Sequence, residues 1–422
     1  MEQFSQLFEG IVKFQWQYLI MYLIGGILIY LAIKKDYEPM LLLPIGFGAI
    51  LVNLPLKSIW EFAPELDEAV TKIVAKYPEL QAFLAEKFHY IFENGQAFKV
   101  EQGVLQILFN SGILTELFPV LIFVAVGAMI DFSPLFKSPR MIFFGAAAQF
   151  GIFFTVLAAL FLNKLFPSLN IDLKAAASIG IIGAADGPTS IFVASKFAKD
   201  LIGPISVAAY SYMSLVPIIQ PPVIKALTTK QERMIRMEYK DTKVSKIVLI
   251  LFPILITIIA GIIAPISVPL VGLLMFGNLI RECGVVERLS KAAQNELANL
   301  VTILLGITIG STMHYEKFLR KETILIMLLG LVAFIFDTAG GVIFAKIMNL
   351  FSKEKINPMI GAAGISAFPM SSRIVQKLAK QEYPENFILM QAVSANVSGQ
   401  LGSIVAGGMV LALVPWLLTL AG

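Results

Sequence analysis

The sequence predicts an all-α polytopic membrane protein made of two inverted-topology repeats, each with a broken or re-entrant helix segment. Three observations carry this. The composition is 57% hydrophobic and 15% charged, against roughly 25% charged in an ordinary soluble domain. Apolar stretches of spanning length recur along the chain. The stretch Ala175 to Lys199 is interrupted by Asp186, Gly187 and Pro188, and Gly361 to Lys380 repeats it in one register.

Taken in order, residues 1–56 hold the first spans of the first repeat, beginning with Tyr18 to Ile33. The acidic and polar start (Glu2, Gln3, Glu9) lacks the short apolar run and cleavage signature of a secretory signal, so no cleaved leader is expected. Residues 57–112 form a mixed-charge, amphipathic insertion without a spanning run. Residues 113–225 complete the first repeat, with Met141 to Leu162 and the broken segment 175–199. A basic linker, 226–243, leads to the second repeat, 244–422, with Val244 to Ile263, Ile324 to Phe344, the broken segment 357–380 and Phe387 to Val405. A membrane crossing needs about 20 apolar residues, with tilt absorbing differences in length.

The repeat is legible residue by residue. Gly180, Gly183, Pro188, Lys196, Ala198 and Lys199 recur as Gly361, Gly364, Pro369, Lys377, Ala379 and Lys380, every pair 181 residues apart. Val126-Gly127-Ala128 matches Ile309-Gly310-Ser311 at 183, and Asn53-Leu54 matches Asn278-Leu279 at 225. The jump between the last two spacings locates the insertion. Lys225 to Lys246 carries seven basic residues against three acidic ones, which places it in the cytoplasm. With the first broken segment entering and leaving on one face, each segment of the second half then runs opposite to its counterpart. Lys317, Arg320 and Lys321 fall outside and are the exception. Repeats of this kind with interrupted helices build many secondary transporters, whose sites lie where the breaks meet.

Several function classes are disfavoured. One cysteine, Cys283, excludes an internal disulfide, and two histidines, His89 and His314, are too few for a His-rich metal centre. The net charge of +4 reads as sidedness, with no basic-aromatic stripe to suggest a nucleic-acid partner. No Ser-His-Asp order, CxxC pair, HExxH run or phosphate-binding loop is present, which argues against nucleotide hydrolysis by this chain.

A carboxylate at membrane depth costs roughly 2.5 to 3.5 kcal/mol on the insertion scale, so Asp186 at the first break is a binding-site residue by default. Backbone carbonyls freed by the break, with one carboxylate, suit a small hard cation. The second break offers neutral oxygens instead: Asn357, Ser366 and, in the last long apolar segment, Asn396, with Ala367 at the position that matches Asp186. One negative charge among neutral oxygens fits a monovalent cation. As capping or interhelical residues the same three side chains would be ordinary. Tyr212 could donate a proton or merely satisfy a carbonyl. Arg373 could hold a carboxylate bidentately or simply mark the inner face. Asp337, in FIFDTAGG, is either a proton site or the partner of a lysine.

GAADGPTSIF at 183–192, GNLIRECGVVERL at 277–289, QNELANLVTILLG at 294–306, GISAFPMSSR and QAVSANVSGQLGS resemble the membrane β subunit of the sodium-pumping biotin-dependent decarboxylases, which serve oxaloacetate, methylmalonyl-CoA and glutaconyl-CoA. The resemblance covers nearly the whole chain, the insertion being its least typical part. It implies a bacterial or archaeal inner-membrane subunit that decarboxylates carboxybiotin, consumes a proton and exports sodium ions. The implied partners are a carboxyltransferase subunit, a biotin carrier protein or domain and a small membrane-anchor subunit, in a complex that holds the chain as a homo-oligomer among membrane lipid. By the family pattern Asp186, Asn357 and Asn396 form the sodium site, with Ser366 beside it, Gly187 and Pro188 at the first break and Gly361 allowing close packing at the second. Tyr212 matches a coupling position, and Arg373 a functional one read here as a carboxybiotin anchor. A sodium-coupled secondary carboxylate transporter would use the same repeats and the same cation site, and the substrate acid belongs to another subunit.

Overall fold

In the computed structural model the described residues are 10–12, 14–55, 65–88, 90–99, 102–238 and 243–421. Glu2, Gln3, Glu9, His89, the Lys57 end of the insertion and Lys240 of the linker lie outside them. Seven helices among the described residues are long and apolar enough to cross a membrane, and the chain is a multi-pass membrane protein.

The first half opens with α1 (Trp16–Lys35) and α2 (Pro39–Val52). Between them and the next membrane helices lies a small folded unit of the insertion: β1 (Glu65–Leu66), α3 (Glu68–Lys76), α4 (Leu80–Phe88), β2 (Tyr90–Glu93) and β3 (Gln96–Lys99). Its strands order β1-β3-β2, all antiparallel. Asn94 and Gly95 both take positive φ between Glu93 and Gln96, which is what a two-residue hairpin turn requires. The sheet is small and lies outside the spanning helices, and the membrane part is all-α as expected.

Helix α5 (Val104–Leu114), whose second half is wound as a π-helix, bends by 61° into α6 (Leu117–Met129). Then come α7 (Ile142–Ala148), α8 (Phe150–Leu165), α9 (Leu173–Gly180), a 3₁₀ turn over Ile181–Ala184, α10 (Gly187–Phe197) and α11 (Ile202–Leu227). The second half supplies α12 (Lys246–Ile263), α13 (Val268–Cys283), α14 (Ala298–Ser311), α15 (Lys321–Phe351), the short α16 (Met359–Ala362), α17 (Met370–Glu382) and α18 (Leu389–Ala421).

The halves interlock. Helix α2 packs on α14, and α13 packs on α6; α7 packs on α18, and α15 on α11. The first two contacts are closed by matching hydrogen bonds. The Asn53 side-chain amide donates to the Met313 carbonyl at 2.9 Å, and that of Asn278 to the Ile130 carbonyl at 3.0 Å. Asn53 and Asn278 are the counterparts identified in the sequence, and Ile130 and Met313 share the 183-residue spacing of Gly127 and Gly310. Both asparagines are buried.

The second broken segment begins and ends beside the linker. Asn357 donates to the carbonyls of Arg233 and Ile235, and Glu382 at the end of α17 pairs with Arg233 at 2.8 Å. Helix α11 runs from the end of α10 down to the linker, so the first broken segment ends at the opposite pole, where Lys196 pairs with Glu116 at 2.6 Å.

Replacing Asn53 by alanine leaves the Met313 carbonyl and the Tyr315 amide, which it also bonds at 2.9 Å, without partners. Stability should fall by about 1–3 kcal/mol. Asn278→Ala, which leaves a single carbonyl unmet, should cost less. Thermal unfolding in detergent checks the order, and equal effects would contradict it.

Candidate functional site

The first break is built by the local sequence. Gly183 and Ala184 end the 3₁₀ turn, Ala185 takes a left-handed conformation at φ 52°, and Asp186 is extended. Pro188 stands in the first turn of α10, where its missing amide hydrogen costs nothing. Asp186 is thereby fixed at the N-terminus of α10, whose partial positive charge favours a carboxylate. Only 6% of it is exposed. Its Oδ2 accepts from Thr189 Oγ1 at 2.6 Å and from Ser403 Oγ at 3.2 Å.

The second break lies against the first. The amide of Ser366 donates to the Ala184 carbonyl at 3.4 Å, joining the two unwound segments. One face of α18 closes the gap on both sides. Asn396 Nδ2 donates to the Ile365 carbonyl at 2.6 Å, the Gly399 carbonyl accepts from Ser366 Oγ at 2.9 Å, and Gln400 Nε2 donates to the Ser366 carbonyl. Ser403 reaches Asp186, and Gly407 lies against Thr189. Asn396, Gln400, Ser403 and Gly407 recur every three or four residues, so a single helical stripe touches both breaks.

Asn396 Oδ1 is buried and has no hydrogen-bond partner among the described residues. A buried acceptor without a donor is costly, and on the α18 stripe that also carries Ser403 it is the kind of oxygen a cation would use. The donor set is one carboxylate with hydroxyl and amide oxygens, chemistry suited to a small monovalent cation.

Three residues singled out in the sequence lie elsewhere in this network. Asn357 is buried, but its amide is occupied by Arg233 and Ile235 and its oxygen accepts from the Met359 amide at 3.1 Å, so it fastens the second broken segment to the linker. Tyr212 turns to α15, where its hydroxyl donates to the Met327 carbonyl. The tyrosine on the Asp186 side is Tyr210. Its ring lies on Gly187, where a Cβ would fall 2.2 Å from Cε1 and Cζ, and its hydroxyl is buried without a partner among the described residues. Arg373 is exposed on the first turn of α17 and takes part in no ion pair among the described residues.

Sequence reasoning missed Thr189, Ser403, Gln400 and Tyr210. The signal was present for the α18 residues: Ser403 and Gln400 stand seven and four positions after Asn396, on one helical face.

A family model described as the Na+-transporting oxaloacetate decarboxylase beta subunit matches residues 17–414. The methylmalonyl-CoA decarboxylase subunit beta of Propionigenium modestum is 48% identical over 395 residues, covering 94% of each chain. The oxaloacetate decarboxylase beta chain of Klebsiella pneumoniae is 46% identical over 408 residues, 93% of this chain and 94% of its own. The glutaconyl-CoA decarboxylase subunit beta of Acidaminococcus fermentans is 45% identical over 406 residues, 96% of each.

Gly361 faces Gly341 of α15 so closely that a Cβ on either would lie 2.0 Å from the other's carbonyl oxygen. Backbone on both sides leaves no room to yield. Gly361→Ala should therefore destabilise the protein by about 1–3 kcal/mol and displace the second break. A lowered unfolding temperature together with weakened sodium dependence is expected, and an unchanged protein would contradict the contact.

Proposed function

The chain belongs to the family of Na+-transporting oxaloacetate decarboxylase beta subunits, and from that premise we propose that it decarboxylates carboxybiotin brought by a biotin carrier, with uptake of a proton, and exports sodium ions. The observation that supports this most is the buried Asp186 carboxylate, held at a helix break and touched by the same α18 stripe that touches the second break.

Sodium is the transported substrate. Asp186 supplies the charge, with Thr189, Ser403, Ser366 and the free oxygen of Asn396 as neutral donors. Asn357 contributes by anchoring the second broken segment, and Tyr210 is better placed than Tyr212 to meet the carboxylate. In the decarboxylation the N–C bond of carboxybiotin breaks, carbon dioxide leaves, and the bonding electrons remain on the ureido nitrogen, which takes the proton. Arg373, exposed on the first turn of α17 and in no ion pair among the described residues, is the cation we assign to the incoming carboxylate. A sodium ion drawing the Asp186 and Asn396 oxygens together tightens both breaks through α18. A proton on Asp186 removes the charge and weakens the cation's hold. Moving one charge outward against 100 mV takes about 2.3 kcal/mol, a load that decarboxylation can supply.

We also read the halves as inverted repeats, supported by the counterpart asparagines, by the crossed packing of α2 on α14 and α13 on α6, and by the opposite poles at which the broken segments end. On this reading residues 57–112 are the insertion and 226–243 the cytoplasmic linker. The relatives' names make each of them one chain of a larger enzyme. A carboxyltransferase, a biotin carrier and a small membrane-anchor subunit are the proposed partners, with further copies of this chain in the same complex.

The test is Asp186→Asn in the reconstituted complex. Loss of a charged ligand is worth about 1.5–3 kcal/mol, so the sodium needed for half-maximal decarboxylation should rise roughly 10- to 100-fold. Ser403→Ala, which removes one neutral hydrogen bond, should raise it only a few-fold. Wild-type sodium dependence in Asp186→Asn would refute the site.

A further inference from the structure

Asp337 stands in the middle of α15, the 31-residue helix Lys321–Phe351, and is 0% exposed. The function proposed above does not use it. What holds it is a second helix end. Gln149 leaves the helical conformation between α7 and α8, so α8 begins anew at Phe150 and its first amides lack intrahelical partners. The amide of Ile152 is shared between the Gln149 carbonyl and Asp337 Oδ1, each at 3.2 Å. Gly151 makes this approach possible, since a Cβ there would lie 2.5 Å from Oδ1.

The other oxygen, Oδ2, is buried and has no hydrogen-bond partner among the described residues. It faces Gly183, where a Cβ would fall 2.4 Å away. Gly183 belongs to the 3₁₀ turn that runs directly into Ala185 and Asp186. The second carboxylate of the membrane core thus presses on the backbone that positions the first.

No cation balances Asp337 among the described residues. On α15 itself, Lys346 is engaged by the Leu227 carbonyl at 3.1 Å and by Glu232 at 3.2 Å, and Lys321 and Glu322 stand at the far start. The elements packed against α15 are α7, α8, α9, the 3₁₀ turn, α11 and α16. Helix α7, the 3₁₀ turn and α16 carry no ionisable side chain. Lys164, Lys174 and Lys225 sit at the termini of α8, α9 and α11. Tyr212 meets α15 at Met327, about three turns away, and Tyr210 lies on Gly187. An unpaired buried carboxylate is among the most costly groups a membrane interior can hold. A hard metal cation would need several oxygen ligands, and the contact of Oδ2 with Gly183 is closed. A proton needs only that one oxygen.

We propose that Asp337 is a proton-binding site distinct from the Asp186 site. It carries a proton in the closed arrangement described here, and its deprotonation opens the contact between α15 and the turn that leads into Asp186. Gly183 is the mechanical link, because a charged Oδ2 cannot stay on a glycine that offers it no donor.

Infrared difference spectroscopy on the detergent-solubilised complex, with Asp337→Asn and Gly183→Ala beside the wild type, tests this without sodium or turnover, so it fails independently of the pump reading. The expected result is a protonated-carboxyl band at neutral pH that Asp337→Asn abolishes and Gly183→Ala shifts, with other carboxyl bands unmoved. Should Asp337→Asn not assemble, the Gly183→Ala shift alone decides. A spectrum in which neither substitution changes any protonated-carboxyl band, from mildly acidic to alkaline pH, would overturn the proposal.

Discussion

Within a bilayer an unwound backbone finds no water, so every amide and carbonyl released by a broken helix must be met by protein. This protein breaks two helices and lets the breaks serve one another. The Ser366 amide meets the Ala184 carbonyl, Asn396 and Gln400 donate to the Ile365 and Ser366 carbonyls of the second break, and Ser366 Oγ donates in turn to the Gly399 carbonyl of α18. Once the breaks are joined in this way, neither can move without the other. The carboxylate at the first break is then tied to the geometry of the second.

Helix α18 carries the connection. Asn396 and Gln400 hold the second break, Ser403 holds Asp186, and all three lie on one stripe of one helix. A displacement of α18 along its axis changes both sets of contacts at once. The glycine pair Gly341 and Gly361 keeps the short α16 against α15, and Asp337 on the same long helix presses on the turn before Asp186. The carboxylate at the centre and the packing at its edges therefore share the same few contacts.

Much of this was legible in the sequence. The broken segments, Asp186, Ser366 and Asn396 stand out because polar and helix-breaking residues are rare inside apolar runs, and the register of the repeat follows from identities that an apolar background does not hide. The less visible part depended on direction. Tyr210 and Tyr212 are two residues apart, hence on different faces of α11, and their sequence gives no reason to choose between them; the structure turns Tyr212 to Met327 and Tyr210 to Gly187. Asn357 reads as a site oxygen, yet its partners are linker carbonyls far away in the chain. The hairpin at Asn94-Gly95 had a local signal, alternating residues around an Asn-Gly pair, which the mixed charge of the insertion obscured.

On the proposed function, filling the Asp186 site and breaking the carboxybiotin bond are one coupled event. The most direct measurement is carbon dioxide release from a carboxylated biotin carrier by the reconstituted protein, with and without sodium, alongside movement of labelled sodium. Release should depend on sodium and be accompanied by its transport. Full release without sodium, or sodium movement with a labelled carboxylate and no carbon dioxide, would contradict it.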